Sequence, residues 1–184
     1  MKESLSDHFK MKDLGSVEYL LGVEIRRRSG GGYFLVQEKY AQEVVREFGM
    51  GEAKVASTPF EHRSEMGLSE ASSSDGERSP AWMADIPYRR VVGSLMYLIV
   101  CTRPDLSMAV SALSRYCQAP QLEQWEAAKK VLRYVKGTVG EGLGYSLGED
   151  LAVWGYSDAS YGNDKETKKG RIYFLECWCY SELG

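Results

Sequence analysis

Residues 61–86 hold six serines and only scattered apolar side chains. The stretch is too polar to build a core and far longer than the usual connection of about 4–6 residues, so it reads as a linker. Whatever core the 184-residue chain forms must come from the segments on either side. Both have the material for one. The chain is 43% hydrophobic and 27% charged, the balance of a globular protein. Its longest apolar run, around Leu95–Cys101, falls well short of the roughly 18 residues that span a bilayer. Met1–Lys12 is charged rather than apolar, unlike a signal peptide, so an intracellular location and no membrane partner are expected.

In the first segment Tyr19–Arg28 and Tyr33–Glu38 are rich in β-branched and aromatic residues, with Ser29–Gly32 between them; this predicts a β-hairpin. Leu5 and Phe9, four apart, suggest the tail of a short helix. Glu38–Phe48 carries Tyr40, Val44, Val45 and Phe48 at helical spacing and is closed by Gly49. Beyond the linker three helices are expected. Tyr88–Val100 gathers Val91, Val92, Leu95, Met96 and Ile99 on one face, and Asp105–Cys117 gathers Leu106, Ala109, Val110, Leu113 and Tyr116. Gln121–Lys136 gathers Leu122, Trp125, Ala128, Leu132 and Val135, closed by Gly137. The pattern then changes to strands at Leu143–Leu147, Leu151–Ser157 and Ile172–Trp178. The fold class is α+β.

A net charge of −3 argues against a free-standing nucleic-acid binder, but the charge is unevenly spread. Lys129, Arg133 and Lys136 make a basic ridge on one helix. It is either a solvated face or a contact for phosphates, whose counterions it would release. Arg26-Arg27-Arg28 invites the same two readings. Arg89-Arg90 opens a helix, where cations are disfavoured, and calls for an acidic or phosphate partner. Asp158 is placed just after a strand, beside small residues. It is either a turn aspartate or one ligand of a hard cation, and two-metal phosphoryl transfer needs several such carboxylates. Cys101, Cys117, Cys177 and Cys179 read as reduced thiols, since no set of four zinc ligands is in view. There is no phosphate loop, no nucleophile elbow, and no pattern for a small-molecule substrate.

Five blocks, in order, resemble the copia-type retrotransposon Pol polyproteins over roughly residues 3 to 175. Phe9–Gly15 with Tyr19–Ile25 is the first, and Gln37–Tyr40 with Ser57-Thr58-Pro59 is the second. Pro87–Arg90, Val92–Leu98 and Thr102-Arg103-Pro104-Asp105 form the third and most distinctive. Trp125–Lys129 with Leu132–Thr138 is the fourth, and Gly155–Ala159, ending at Asp164, is the fifth.

The resemblance implies a fragment of an RNA-directed DNA polymerase with its ribonuclease H. Residues 1–60 would be the edge of the reverse-transcriptase palm with a primer-grip-like hairpin, 61–86 a flexible linker, 87–140 a helical thumb and connection, and 141–184 an incomplete RNase H-like sheet. It implies an RNA–DNA or DNA duplex as partner, gripped through Leu21, Gly22, Arg26, Lys129, Arg133 and Lys136. It implies magnesium as the cofactor of the intact enzyme, with Asp158 as the first RNase H metal aspartate. The parent element would work in a cytoplasmic virus-like particle or in the nucleus. The departures matter as much. No Asp-Asp dipeptide occurs, Ser160 stands where the family usually has Asp, the chain is about three residues short between Asp164 and Phe174, and residues 176–184 fit nothing in the family. Neither polymerase nor RNase H activity is therefore expected of the chain alone, and magnesium binding by it is not expected. Two non-enzymatic alternatives stand beside this: a remnant module that binds nucleic-acid duplex, and a captured protein such as a pathogen effector, although no Arg-x-Leu-Arg string is present.

Overall fold

The computed structural model describes residues 5–12, 14–59 and 85–146, together with the backbone of 154–160 and 171–177. The expected linker lies almost wholly outside the described residues. Among the described residues the elements follow one another as β1 (Tyr19–Leu20), β2 (Val23–Arg27), β3 (Tyr33–Val36), α1 (Glu38–Glu47), α2 (Tyr88–Cys101), α3 (Ser107–Ser114), α4 (Leu122–Gly137), β4 (Gly142–Tyr145), β5 (Trp154–Ser160) and β6 (Arg171–Cys177). A 3-10 turn at Pro104–Leu106 leads into α3. The α+β expectation holds.

Two antiparallel sheets result, one ordered β1-β2-β3-β4 and one pairing β5 with β6. The expected hairpin is there, with Arg27 opposite Tyr33, but its first arm is not continuous. Tyr19–Arg28 folds back at Leu21-Gly22 so that Leu20 pairs with Val23. The strand expected at Leu143–Leu147 joins the hairpin: Leu143 sits opposite Leu35 and Gly142 opposite Val36. Residues more than a hundred positions apart thus share one ladder.

The helices close over a single core. Ala41, Val44 and Val45 of α1 pack in one buried cluster with Tyr88, Val91, Leu95 and Leu98 of α2, Ala109, Val110 and Leu113 of α3, and Ala128, Val131, Leu132 and Val135 of α4. Residues of α1 and residues of α2 to α4 therefore bury one another across the expected linker. Two expected core positions do not belong to it. Met96 is 49% exposed and Leu122 is 49% exposed, whereas Gln124 is buried. The α4 stripe is rotated because Gln124 closes the helix start: its side chain accepts from the Gln121 N–H while the Gln121 side chain accepts from the Gln124 N–H.

A buried polar seam joins the ends of these elements. The Thr102 hydroxyl donates to Gln37 Oε1 at 2.8 Å, tying the end of α2 to the start of α1. Next to it Arg103, 2% exposed, grips both oxygens of Asp105 at 2.7 and 2.9 Å. It also donates to the carbonyl and the hydroxyl oxygen of Thr138, both at 2.8 Å, and lies over the Tyr134 ring. Four guanidinium donors are thus engaged in one planar fork, which a lysine does not reproduce. Arg103→Ala is expected to lower stability by about 3 kcal/mol, read as a fall in urea midpoint, with Arg103→Lys recovering only part of it.

Tyr88 adds a pH-dependent element. Its hydroxyl donates to the Leu113 carbonyl, and burial pushes its pKa well above the ordinary value of 10.0. Above that value the unfolded chain releases the proton and the native one keeps it. Stability is therefore full below about pH 10 and declines by up to about 1.4 kcal/mol per pH unit above it. Tyr88→Phe is expected to flatten this alkaline decline in denaturant titrations, at a cost of about 1 kcal/mol at neutral pH.

Candidate nucleic-acid interface

Leu21 and Gly22 form a two-residue turn in which both have positive φ, 48° and 75°. A primed hairpin turn needs this geometry and normally recruits Gly or Asn for it; a leucine there is strained. Leu21 is nevertheless 78% exposed, so burial does not repay the strain. What holds the tip is helix α2. The Tyr97 hydroxyl donates to the Leu21 carbonyl across 76 residues of sequence, and a Cβ on Gly22 would lie 3.5 Å from that hydroxyl. The Tyr97 ring is braced edge-on by Tyr40 at 5.0 Å, and desolvation raises its pKa, keeping the proton for the carbonyl.

One helical turn before Tyr97 lies Gly93. It is exposed, and a Cβ there would meet nothing within 4 Å. A glycine in a helix interior costs roughly 0.5–1 kcal/mol relative to alanine, and no neighbour among the described residues requires it. Met96 and Val100, 49% and 79% exposed, continue this face, and no charged residue occurs from Val91 to Thr102. The structure thus brings the expected pair Leu21 and Gly22 together with Tyr97, one helical turn from Gly93. Sequence reasoning missed these two, although a lone glycine inside an apolar helix was a visible signal.

The basic residues are placed differently from a free cationic face. Arg26 forms ion pairs with Glu38 at 2.6 Å and Glu24 at 2.9 Å, which raise its pKa in that order. Lys129 pairs with Glu126 at 2.5 Å and lies 5.9 Å from the Trp125 ring centre. Arg133 Nε donates to the Lys54 carbonyl and Lys136 Nζ to the Ala53 carbonyl at 2.9 Å. The ridge is half-buried beneath the 53–56 segment. A carbonyl acceptor satisfies a donor without cancelling its charge, so Arg133 and Lys136 remain cations. Of the two arginines at the α2 start, Arg90 finds an acidic partner in Glu47 of α1, whereas Arg89 Nε donates to the neutral Cys117 carbonyl at 2.7 Å.

Asp158 lies within β5, opposite Tyr173 of β6, rather than beyond a strand ending at Ser157. Among the described residues no three His, Cys, Asp or Glu side chains gather as metal donors. Cys101 and Cys117 are free thiols. No helix among the described residues is long and apolar enough to cross a membrane.

Comparison with known proteins gives this surface its setting. Residues 1–62 match the family described as reverse transcriptase (RNA-dependent DNA polymerase). Over 176 residues the chain is 40% identical to the retrovirus-related Pol polyprotein from transposon TNT 1-94 of Nicotiana tabacum, covering 95% of this chain and 13% of that protein. It is 36% identical to an uncharacterized mitochondrial protein of Arabidopsis thaliana, covering 94% of this chain and 69% of that one. It is also 39% identical over 102 residues to secreted RxLR effector protein 161 of Plasmopara viticola, covering 54% of this chain and 72% of that one. No solved structure matches. The chain belongs to the copia-type, retrovirus-related Pol polyprotein family and is a fragment of such a polyprotein, with residues 1–62 matching the reverse transcriptase.

The contact of α4 with the 53–56 segment carries its own test. A Cβ on Gly137 would lie 2.3 Å from Val55 Cγ1. Gly137→Ala is expected to cost about 1–3 kcal/mol by overpacking although alanine is the better helix former. Val55→Ala in the same chain should restore most of the thermal midpoint.

Proposed function

We propose that this chain is a duplex-gripping part of a Pol polyprotein, holding nucleic acid for a polymerase centre rather than performing nucleotidyl transfer itself. The observation that supports this most is the strained, exposed Leu21-Gly22 tip seated against Tyr97, with the bare backbone of Gly93 one helical turn along the same helix. A neutral surface of this kind suits close approach of a duplex groove, where charged side chains would be desolvated at a cost. Lys129, Arg133 and Lys136 then act through long-range attraction for phosphates, and Arg26 does so more weakly because two carboxylates already engage it.

In this reading residues 1–60 form the palm edge, 61–86 the linker and 87–140 the thumb and connection. RNase H begins after β4, since that strand completes the first sheet. Asp158 stands where the first metal aspartate of the intact ribonuclease would be, and magnesium belongs to the reaction of the whole polyprotein. The partner is an RNA–DNA or DNA duplex. A second reading, a captured non-enzymatic protein, is favoured by the similarity to an effector of Plasmopara viticola. It predicts secretion of a tagged copy and no affinity for duplex.

Gly93→Ala separates contact from stability. It is expected to raise the thermal midpoint, by the roughly 0.5–1 kcal/mol that glycine costs a helix, while weakening retention of an RNA–DNA hybrid in anisotropy titrations. Unchanged or tighter hybrid binding in the stabilised variant contradicts the proposal.

A further inference from the structure

A groove of about 960 Å³ runs along the flank of β2, past the point where β1 stops pairing at Tyr19. Two tyrosines reach it. Tyr19 sits opposite Glu24 and Tyr33 opposite Arg27. Strand side chains alternate, so the two rings approach the flank from opposite faces of the sheet. Both are about half exposed. Each has a cation held against it: Lys39 Nζ lies 5.2 Å from the Tyr19 ring centre, and the Arg27 guanidinium 5.9 Å from that of Tyr33.

Arg26 of the lining is shared between Glu24 and Glu38, and Glu18, Arg27 and Lys39 line the groove with it. Among the described residues neither Arg27 nor Lys39 forms an ion pair. Two cations without a carboxylate partner, each beside an aromatic platform, match a strand of phosphates with its bases unpaired, since every base offers a face to stack. A duplex hides those faces. We propose that this groove binds a single-stranded segment of nucleic acid, one base on Tyr19 and one on Tyr33, with the flanking phosphates on Lys39 and Arg27. The inference rests on the nucleic-acid reading of the chain but concerns a site separate from the surface at Leu21, Gly93 and Tyr97.

Anisotropy of a labelled oligothymidylate, titrated with the full chain, tests it. Tyr19→Ala and Tyr33→Ala are each expected to weaken binding about tenfold, the effect of losing one stacked base. Tyr19→Phe and Tyr33→Phe should bind like the parent, because the ring and not the hydroxyl makes the contact. Arg27→Gln with Lys39→Gln should weaken binding and flatten its salt dependence. This exposed pair decides the matter if an alanine variant melts below the assay temperature. Alanine variants that keep parental affinity, or phenylalanine variants that lose as much as alanine, overturn the proposal. A blunt RNA–DNA hybrid is run alongside. Hybrid bound without oligothymidylate removes the groove alone, whereas neither bound removes the groove and the duplex reading together.

Discussion

The Arg103 guanidinium holds the fold together at the place where its elements end. It is buried, its charge is met by Asp105 two residues on, and two further donors secure Thr138 at the end of α4. Thr102 beside it secures Gln37, where β3 passes into α1. These contacts set where α4 stops and where the chain turns toward β4, so the helical layer and the sheet are joined through one polar seam. A buried ion pair contributes less to stability than its geometry suggests, because both charges must leave water. Its value here is positional: an apolar side chain would fill the space but would not choose among carbonyls.

That seam makes the proposed contact surface possible. The hairpin tip at Leu21-Gly22 belongs to a part of the sequence that the linker separates from α2, yet Tyr97 reaches the Leu21 carbonyl. The tip carries the strained φ that its two-residue turn requires on an exposed leucine, and the helix beneath it leaves Gly93 uncovered. Strain and bare backbone on one neutral face suit an external contact better than internal packing. The basic ridge, by contrast, is largely absorbed in holding the 53–56 segment, so its influence on a polyanion is one of field rather than of direct grip.

Much of the helical layer was readable because Val91, Val92 and Leu95, or Ala128, Leu132 and Val135, recur at the helical period, although Leu98, also buried, was not among the expected positions. Periodicity says less about the margins of a stripe. Met96 and Leu122 sit at such margins and turned out exposed, while Gln124 went inside because capping fixed the rotation of α4. The turn at Leu21-Gly22 was hidden inside an apolar run, since leucine is not a turn residue and only its partner signals positive φ. The pairing of β4 with β3 had no local signature at all, because register across so long a separation is set by the tertiary core. Of the site, Leu21 and Gly22 came from family resemblance, whereas Gly93 and Tyr97 emerged only when α2 met the hairpin. The cations were visible as cations, but their carbonyl partners at Lys54 and Ala53 were not.

The central claim is that the segments before and after the linker fold as one unit. Native-state hydrogen exchange across a low denaturant series reads this directly. If the account is right, the amides of Val44 and Val45 in α1 and of Val131 and Leu132 in α4 converge on a single opening free energy with a shared denaturant dependence. Exchange of the α1 amides through a separate opening of lower energy, while α4 stays protected, would contradict it.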